Sequence, residues 1–152
     1  MLWDVAIVPQ VRDWLQELRR DDPATLAAVG AALDLLLQDG PALGPPLADT
    51  VTSMTAIHAG LELLRDCDPA FQFSADNVER FMALSYLREL RPDPGGAREP
   101  RILFAFDQGR TAVVLVAGTK PTDWTRWYSD NVPLAHARYI QYLRELASGG
   151  NV

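Results

Sequence analysis

Residues 100–118 read P-R-I-L-F-A-F-D-Q-G-R-T-A-V-V-L-V-A-G, and whether they form a hairpin decides the fold. Two runs rich in β-branched and aromatic side chains, 100–107 and 111–118, flank D-Q-G-R, whose Gly109 suits a tight turn. Successive side chains of a strand point to opposite faces, so Ile102, Phe104 and Phe106 share one side and Arg101, Leu103, Ala105 and Asp107 the other. The three larger apolar residues are expected to face a layer of helices. Arg101 is then expected on the open side of the sheet.

Upstream, LSYLRELR (84–91) reads as a further strand, although its leucines also suit a helix end, and RPDPGGARE (91–99) is a loop. Further back, LWDVAIV (2–8) is a first strand stopped by Pro9. Val11, Trp14, Leu15 and Leu18 then recur at helical spacing to about Arg20. Asp22 before Pro23 signals the cap of a second helix with Leu26, Val29, Leu33, Leu36 and Leu37 on its buried stripe, ended by Gly40-Pro41. Two such adjacent helices form an antiparallel hairpin that needs a sheet to cover its apolar side. Downstream, Val132, Ala135, Tyr139, Tyr142, Leu143 and Leu146 give a C-terminal helix. Between the halves, about 53–83 reads as helix, loop, helix; Phe71, Phe73, Val78, Phe81 and Met82 are too apolar for a linker. The expected class is α+β: a helical hairpin packed on an antiparallel sheet, a C-terminal helix and a partly helical insertion, all in one domain over 1–152.

A chain of 152 residues with 48% apolar and 22% charged residues can bury a core and is not expected to be disordered. With no long apolar run and no basic flank or cleavage site near MLWDVAIVPQ, a soluble, cytoplasmic protein is expected, with no membrane partner. Cys67 stands alone, which excludes an internal disulfide and any multi-cysteine metal site. The net charge of −6 conceals an asymmetry. Residues 1–85 carry five basic against thirteen acidic side chains, and residues 86–152 carry nine against seven. A local basic patch, rather than the total, is what meets a phosphate backbone. Scattered surface charge would give the same counts.

Several words now stand in a fixed order: W-D-V-A-I-V-P (3–9), G-P-A-L-G-P-P-L-A-D-T (40–50), L-R-E-L-R-P (87–92), R-I-L-F-A-F-D (101–107), and L-V-A-G-T-K (115–120) leading into W-T-R-W-Y (124–128). This series resembles the RelE/ParE superfamily of toxins, and within it the HigB-like, phage-derived branch of type II toxin–antitoxin systems. The resemblance covers about 3–52 and 84–146. It implies two helices on a curved antiparallel sheet, ribosome-dependent cleavage of messenger RNA, and neutralisation by a helix-turn-helix antitoxin similar to HigA. Two departures stand out. About thirty residues are inserted after A-D-T, and Arg88 replaces the lysine that usually opens the strand motif.

Cleavage of RNA without a metal or other cofactor uses the substrate's own 2′-hydroxyl as nucleophile. The protein must orient that group, take its proton, carry the charge of the phosphorane-like state and protonate the departing 5′-oxygen. Arginine and lysine suit the charge, and aromatic side chains can hold a splayed base. Arg88, Arg101, Lys120, Arg126 and Tyr128 are the candidate catalytic residues, with Arg91, Arg98, Trp124 and Trp127 as candidate RNA contacts. If the 84–91 and 100–107 strands are neighbours, as the resemblance implies, Arg88 and Arg101 can meet on the open face, with Lys120, the chain's single lysine, arriving at the end of the third strand. Each has a plainer reading. Arg88 can pair with Glu89 or Glu99, Arg101 can be a solvated strand residue, and the i, i+3, i+4 spacing of Trp124, Trp127 and Tyr128 suits core packing. His136 is a candidate acid/base near neutrality or a solvated helix position. Two other functions fit the same fold: a ParE-like inhibitor that binds DNA gyrase without chemistry, and an inactive interaction module in which 53–83 covers the open face.

Overall fold

The computed structural model describes residues 3–44, 48–50, 87–93, 99–107, 109–119 and 124–147. The expected insertion at about 53–83, and with it His58 and Cys67, lies outside the described residues, as do Arg98 and Lys120. Among the described residues, five strands and three α-helices follow in order: β1 (Asp4–Ile7), α1 (Pro9–Asp21), α2 (Pro23–Asp39), a 3-10 turn (Gly40–Ala42), β2 (Ala48–Thr50), β3 (Arg88–Leu90), β4 (Arg101–Phe106), β5 (Thr111–Gly118) and α3 (Trp124–Ala147). They form the expected α+β fold.

The 100–118 stretch is the hairpin at the centre of the sheet, whose order is β1-β5-β4-β3-β2. Asp107 closes its turn, accepting from the backbone N–H of Gly109 at 2.8 Å and of Thr111 at 2.9 Å. The β2–β3, β3–β4 and β4–β5 pairings are antiparallel. At the edge, β1 runs parallel to β5, Asp4 opposite Thr111 and Ile7 opposite Val114, so the sheet is mixed. A register shift between Leu103 and Phe104 interrupts the β4–β5 ladder. Leu115 and Val116 consequently both pack in the same layer, which strict alternation forbids.

Each face of the sheet has its own core. Ile102, Phe104, Ala112 and Val114 pack with Val11, Leu18, Val29, Ala32 and Leu36 of the helical hairpin. Leu103, Ala105, Val113 and Leu115 pack with Val132, Ala135, Tyr139 and Ile140 of α3. The three large residues of β4 thus face the hairpin as expected. The opposite face is not open along its length, however: α3 covers it, because Leu103 and Ala105 supply apolar surface there as well.

Local chemistry sets the element ends. Pro9 and Pro23 each occupy the first turn of a helix, where a missing N–H costs nothing. Asp22 caps α2, its carboxylate accepting from Thr25 N at 3.2 Å and Thr25 Oγ1 at 2.5 Å. Gly40 ends α2 at φ +55°, and a Cβ there would lie 2.3 Å from Trp3 Nε1, so both conformation and space demand glycine. Among the described residues, no helix is long and apolar enough to cross a membrane.

Candidate functional site

The register of β3 against β4 decides what the candidate arginines can do. Arg88 lies opposite Phe104, Glu89 opposite Leu103, and Leu90 opposite Ile102. Directly opposed residues share a face, so Arg88 belongs to the hairpin side and Glu89 to the side of Arg101. The expectation that Arg88 and Arg101 meet is therefore corrected. The neighbouring strands were anticipated; the register that separates the two side chains was not. Arg88 donates to Pro41 O at 3.2 Å and Leu43 O at 2.6 Å, and its guanidinium lies 5.7 Å from the ring centre of Phe106.

On the other face, β3 with the residue after it, β4 and the first turns of α3 bring four candidate side chains, Arg91, Arg101, Trp124 and Tyr128, together beside Glu89. Its side chain is fully buried, and Oε1 accepts from Arg91 Nε at 2.5 Å and Arg101 Nη1 at 3.4 Å. Tyr128 donates its hydroxyl proton to Glu89 Oε2. The phenolic oxygen in turn accepts from Arg101 Nη1 at 2.5 Å. Trp124 completes the group, with the Arg101 guanidinium 4.5 Å from its ring centre. Glu99 lies 3.6 Å from Arg101 Nη2. The Arg101 side chain keeps 14% of its surface exposed.

The electrostatics follow from that packing. A buried carboxylate is tolerated where charged and polar donors replace its water, and Glu89 has three from protein. Burial pushes the Tyr128 hydroxyl up to about 12, reinforced by the hydrogen bond to Glu89 and the negative charge there, and only partly opposed by Arg101. Near neutrality Tyr128 is a proton donor and not a base.

The aromatic residues divide between two roles. Trp127 packs against the α3 layer of the core and lies over Gly118, where a Cβ would come within 2.8 Å of its Nε1. Trp124 instead meets Trp127 edge-on, with ring centres 5.4 Å apart, and faces Arg101. Of the two candidate RNA contacts, Trp127 thus packs on the core and Trp124 stands beside Arg101. Arg91 is 42% exposed beside Glu89. Arg126 is turned to solvent, its side chain 82% exposed and 3.9 Å from Asp130 one turn on. Neither reading of His136 holds: it is fully buried, and desolvation pulls the imidazole down to about 4. Among the described residues, no group of three or more His, Cys, Asp or Glu is placed to hold a metal ion.

Glu89 is the member of this cluster that sequence reasoning passed over, treating it only as a surface partner for Arg88. One signal was available. In R-E-L-R (88–91), strand alternation puts Glu89 and Arg91 on the same face, opposite Arg88 and Leu90.

Residues 13–140 match the family model described as phage derived protein Gp49-like (DUF891). The candidate toxin HigB3 of Mycobacterium tuberculosis (strain ATCC 25618 / H37Rv) is 34% identical over 146 residues, covering 96% of this chain and 98% of its own. The candidate toxin HigB2 of the same organism is 34% identical over 140 residues, covering 92% of this chain and 54% of its own. No solved structure matches the chain significantly. With a family model spanning most of its length and a relative matched nearly end to end, the chain belongs to the Gp49-like, phage-derived protein family, the HigB-like branch.

Proposed function

We propose that this protein is the toxin of a toxin–antitoxin pair and that it cleaves messenger RNA on the ribosome. The observation that carries the reading is the seating of Arg101, in a family whose relatives bear toxin names. Its guanidinium is held between the Trp124 ring and the Glu89–Tyr128 pair, and its side chain remains 14% exposed. In the reaction, the 2′-oxygen bonds to the adjacent phosphorus while the bond to the 5′-oxygen breaks. The 2′-proton leaves to a base and another proton reaches the 5′-oxygen. In this reading Arg101 offsets the charge that grows on the phosphoryl oxygens between those events. Arg91, Arg98, Lys120, Arg126 and Trp127 stand near these residues in sequence and are proposed as contacts that steer or support the RNA. A cognate helix-turn-helix protein is the proposed antitoxin, and the cytoplasm the proposed site of action.

Induced expression followed by primer extension tests the proposal. The wild type is expected to leave new 5′ ends within translated messages, and Arg101→Ala to abolish them and relieve growth arrest while the protein stays folded. Removing one donor of this kind costs about 3–4 kcal/mol of barrier, a loss of about a hundred-fold or more. Unchanged toxicity in Arg101→Ala would sink the assignment. One observation favours a second reading. Arg101 is flanked by two carboxylates, Glu89 and Glu99, which suits a protein that acts by binding, such as a gyrase inhibitor. Growth arrest without new 5′ ends would select it.

A further inference from the structure

We infer that Glu89 is a positioning residue: a buried carboxylate that, together with the Tyr128 hydroxyl, locks the Arg101 guanidinium in one orientation for phosphate. The inference rests on the nuclease reading for its purpose but on geometry for its existence. A phenol has one proton, and that of Tyr128 is donated to Glu89. The same phenolic oxygen receives Arg101 Nη1, which also points at Glu89 Oε1. Arg101, Tyr128 and Glu89 thus close a ring of three hydrogen bonds, and Trp124 lies against the guanidinium. A guanidinium so held loses little freedom on meeting a phosphate, and a donor fixed beforehand need not reorganise as charge develops. Glu89 is fully buried, so it does not itself touch RNA in this arrangement. Tyr128, with its proton committed to Glu89, serves the arginine and not the leaving group. This assignment makes Tyr128, named above among the candidate catalytic residues, a positioning residue.

The arrangement also creates a tension that a merely structural role would not. Glu89 offsets positive charge where RNA is to bind, yet it orients the cation that stabilises the transition state. Glu89→Gln should therefore separate the two. Cleavage of ribosome-bound message is expected to lose kcat by about a hundred-fold, because a fixed donor is released, while KM stays level or falls because a negative charge has gone. Nitrogen-15 NMR of the arginine side chains supplies a readout independent of catalysis. In the wild type the two Nη signals of Arg101, assigned with Arg101→Lys, are expected to be resolved by slow rotation; in Glu89→Gln they should merge. Tyr128→Phe, which keeps the ring, should broaden those signals and lower kcat about ten-fold, leaving the alkaline limb of the pH–rate profile unchanged.

Resolved, unshifted Arg101 signals in Glu89→Gln would overturn the inference, as would merged signals with an unchanged kcat. If Glu89→Gln does not fold, the Tyr128→Phe spectrum decides in the same way. Merged signals in a protein whose wild type leaves no new 5′ ends would uphold the lock and overturn the nuclease reading instead.

Discussion

Arg88 reaches two backbone carbonyls of the segment that follows α2 and lies 5.9 Å from the Phe104 ring centre and 5.7 Å from that of Phe106. Its two Nη atoms address different acceptors, which a planar fork does and a lysine ammonium on a flexible stem does poorly. Arg88→Lys is accordingly expected to destabilise the fold by about 1–2 kcal/mol, a fraction of what hydrogen bonds from charged groups contribute, without removing Arg101 from its seat. Urea denaturation midpoints would measure the loss, and the Arg101 NMR signals would show whether the cluster survives. Between these two arginines lies the limit of the sequence reading. Residue types and alternation placed Arg101 on the correct face. Which neighbour it meets depends on register, and register is set by pairings to β2 and β5 that no local pattern specifies. Glu89 was legible only in part: alternation puts it on the face of Arg91, but its burial shows only once its donors are in place.

Elements were legible where punctuation was strong. The Asp22-Pro23 cap, the Pro9 start of α1 and the 107–110 turn all stand where the residues put them. Asp22 serves both the backbone N–H and the hydroxyl of Thr25, so Asp22→Ala should cost about 0.5–2 kcal/mol. In a domain of this length, that lowers the midpoint of thermal unfolding by about 2–4 °C per kcal/mol, which calorimetry would register. The start of α3 was less legible. The apolar spacing from Val132 onward predicted a helix there, but the element begins at Trp124 and runs through Pro133. A proline normally argues for a boundary, because it removes an intrahelical hydrogen bond. Here Trp127 and Tyr128 are anchored against the core layer beneath, and tertiary packing outweighs that local loss. The register shift beside Leu103 and the parallel pairing of β1 likewise have no signature in either strand alone.

At the scale of the molecule, α3 carries a buried titratable group across the sheet. His136 has a pKa of about 4 in the fold against an ordinary 6.5, through burial. The unfolded chain takes up this proton first as pH falls, so the contribution is complete above about pH 6.5 and is lost on descending toward 4. A shift of that size corresponds to about 3 kcal/mol at most. Urea unfolding at pH 7 and pH 4.5 should therefore differ. His136→Gln, which keeps a polar but uncharged side chain, should flatten the difference; an equally steep fall in that variant would assign the acid sensitivity elsewhere. A last consequence follows from the pairing of residues 4–7 with residues 111–114. During synthesis, β1 has no partner until more than a hundred further residues have been translated. Helices α1 and α2 can gather early from local contacts, but a strand closure of such sequence separation is slow and must wait. The arginine cluster shares that delay, because Trp124 and Tyr128 follow the closing strand. In a nascent chain the group around Arg101 is thus complete only after the helix that follows the closing strand has been made.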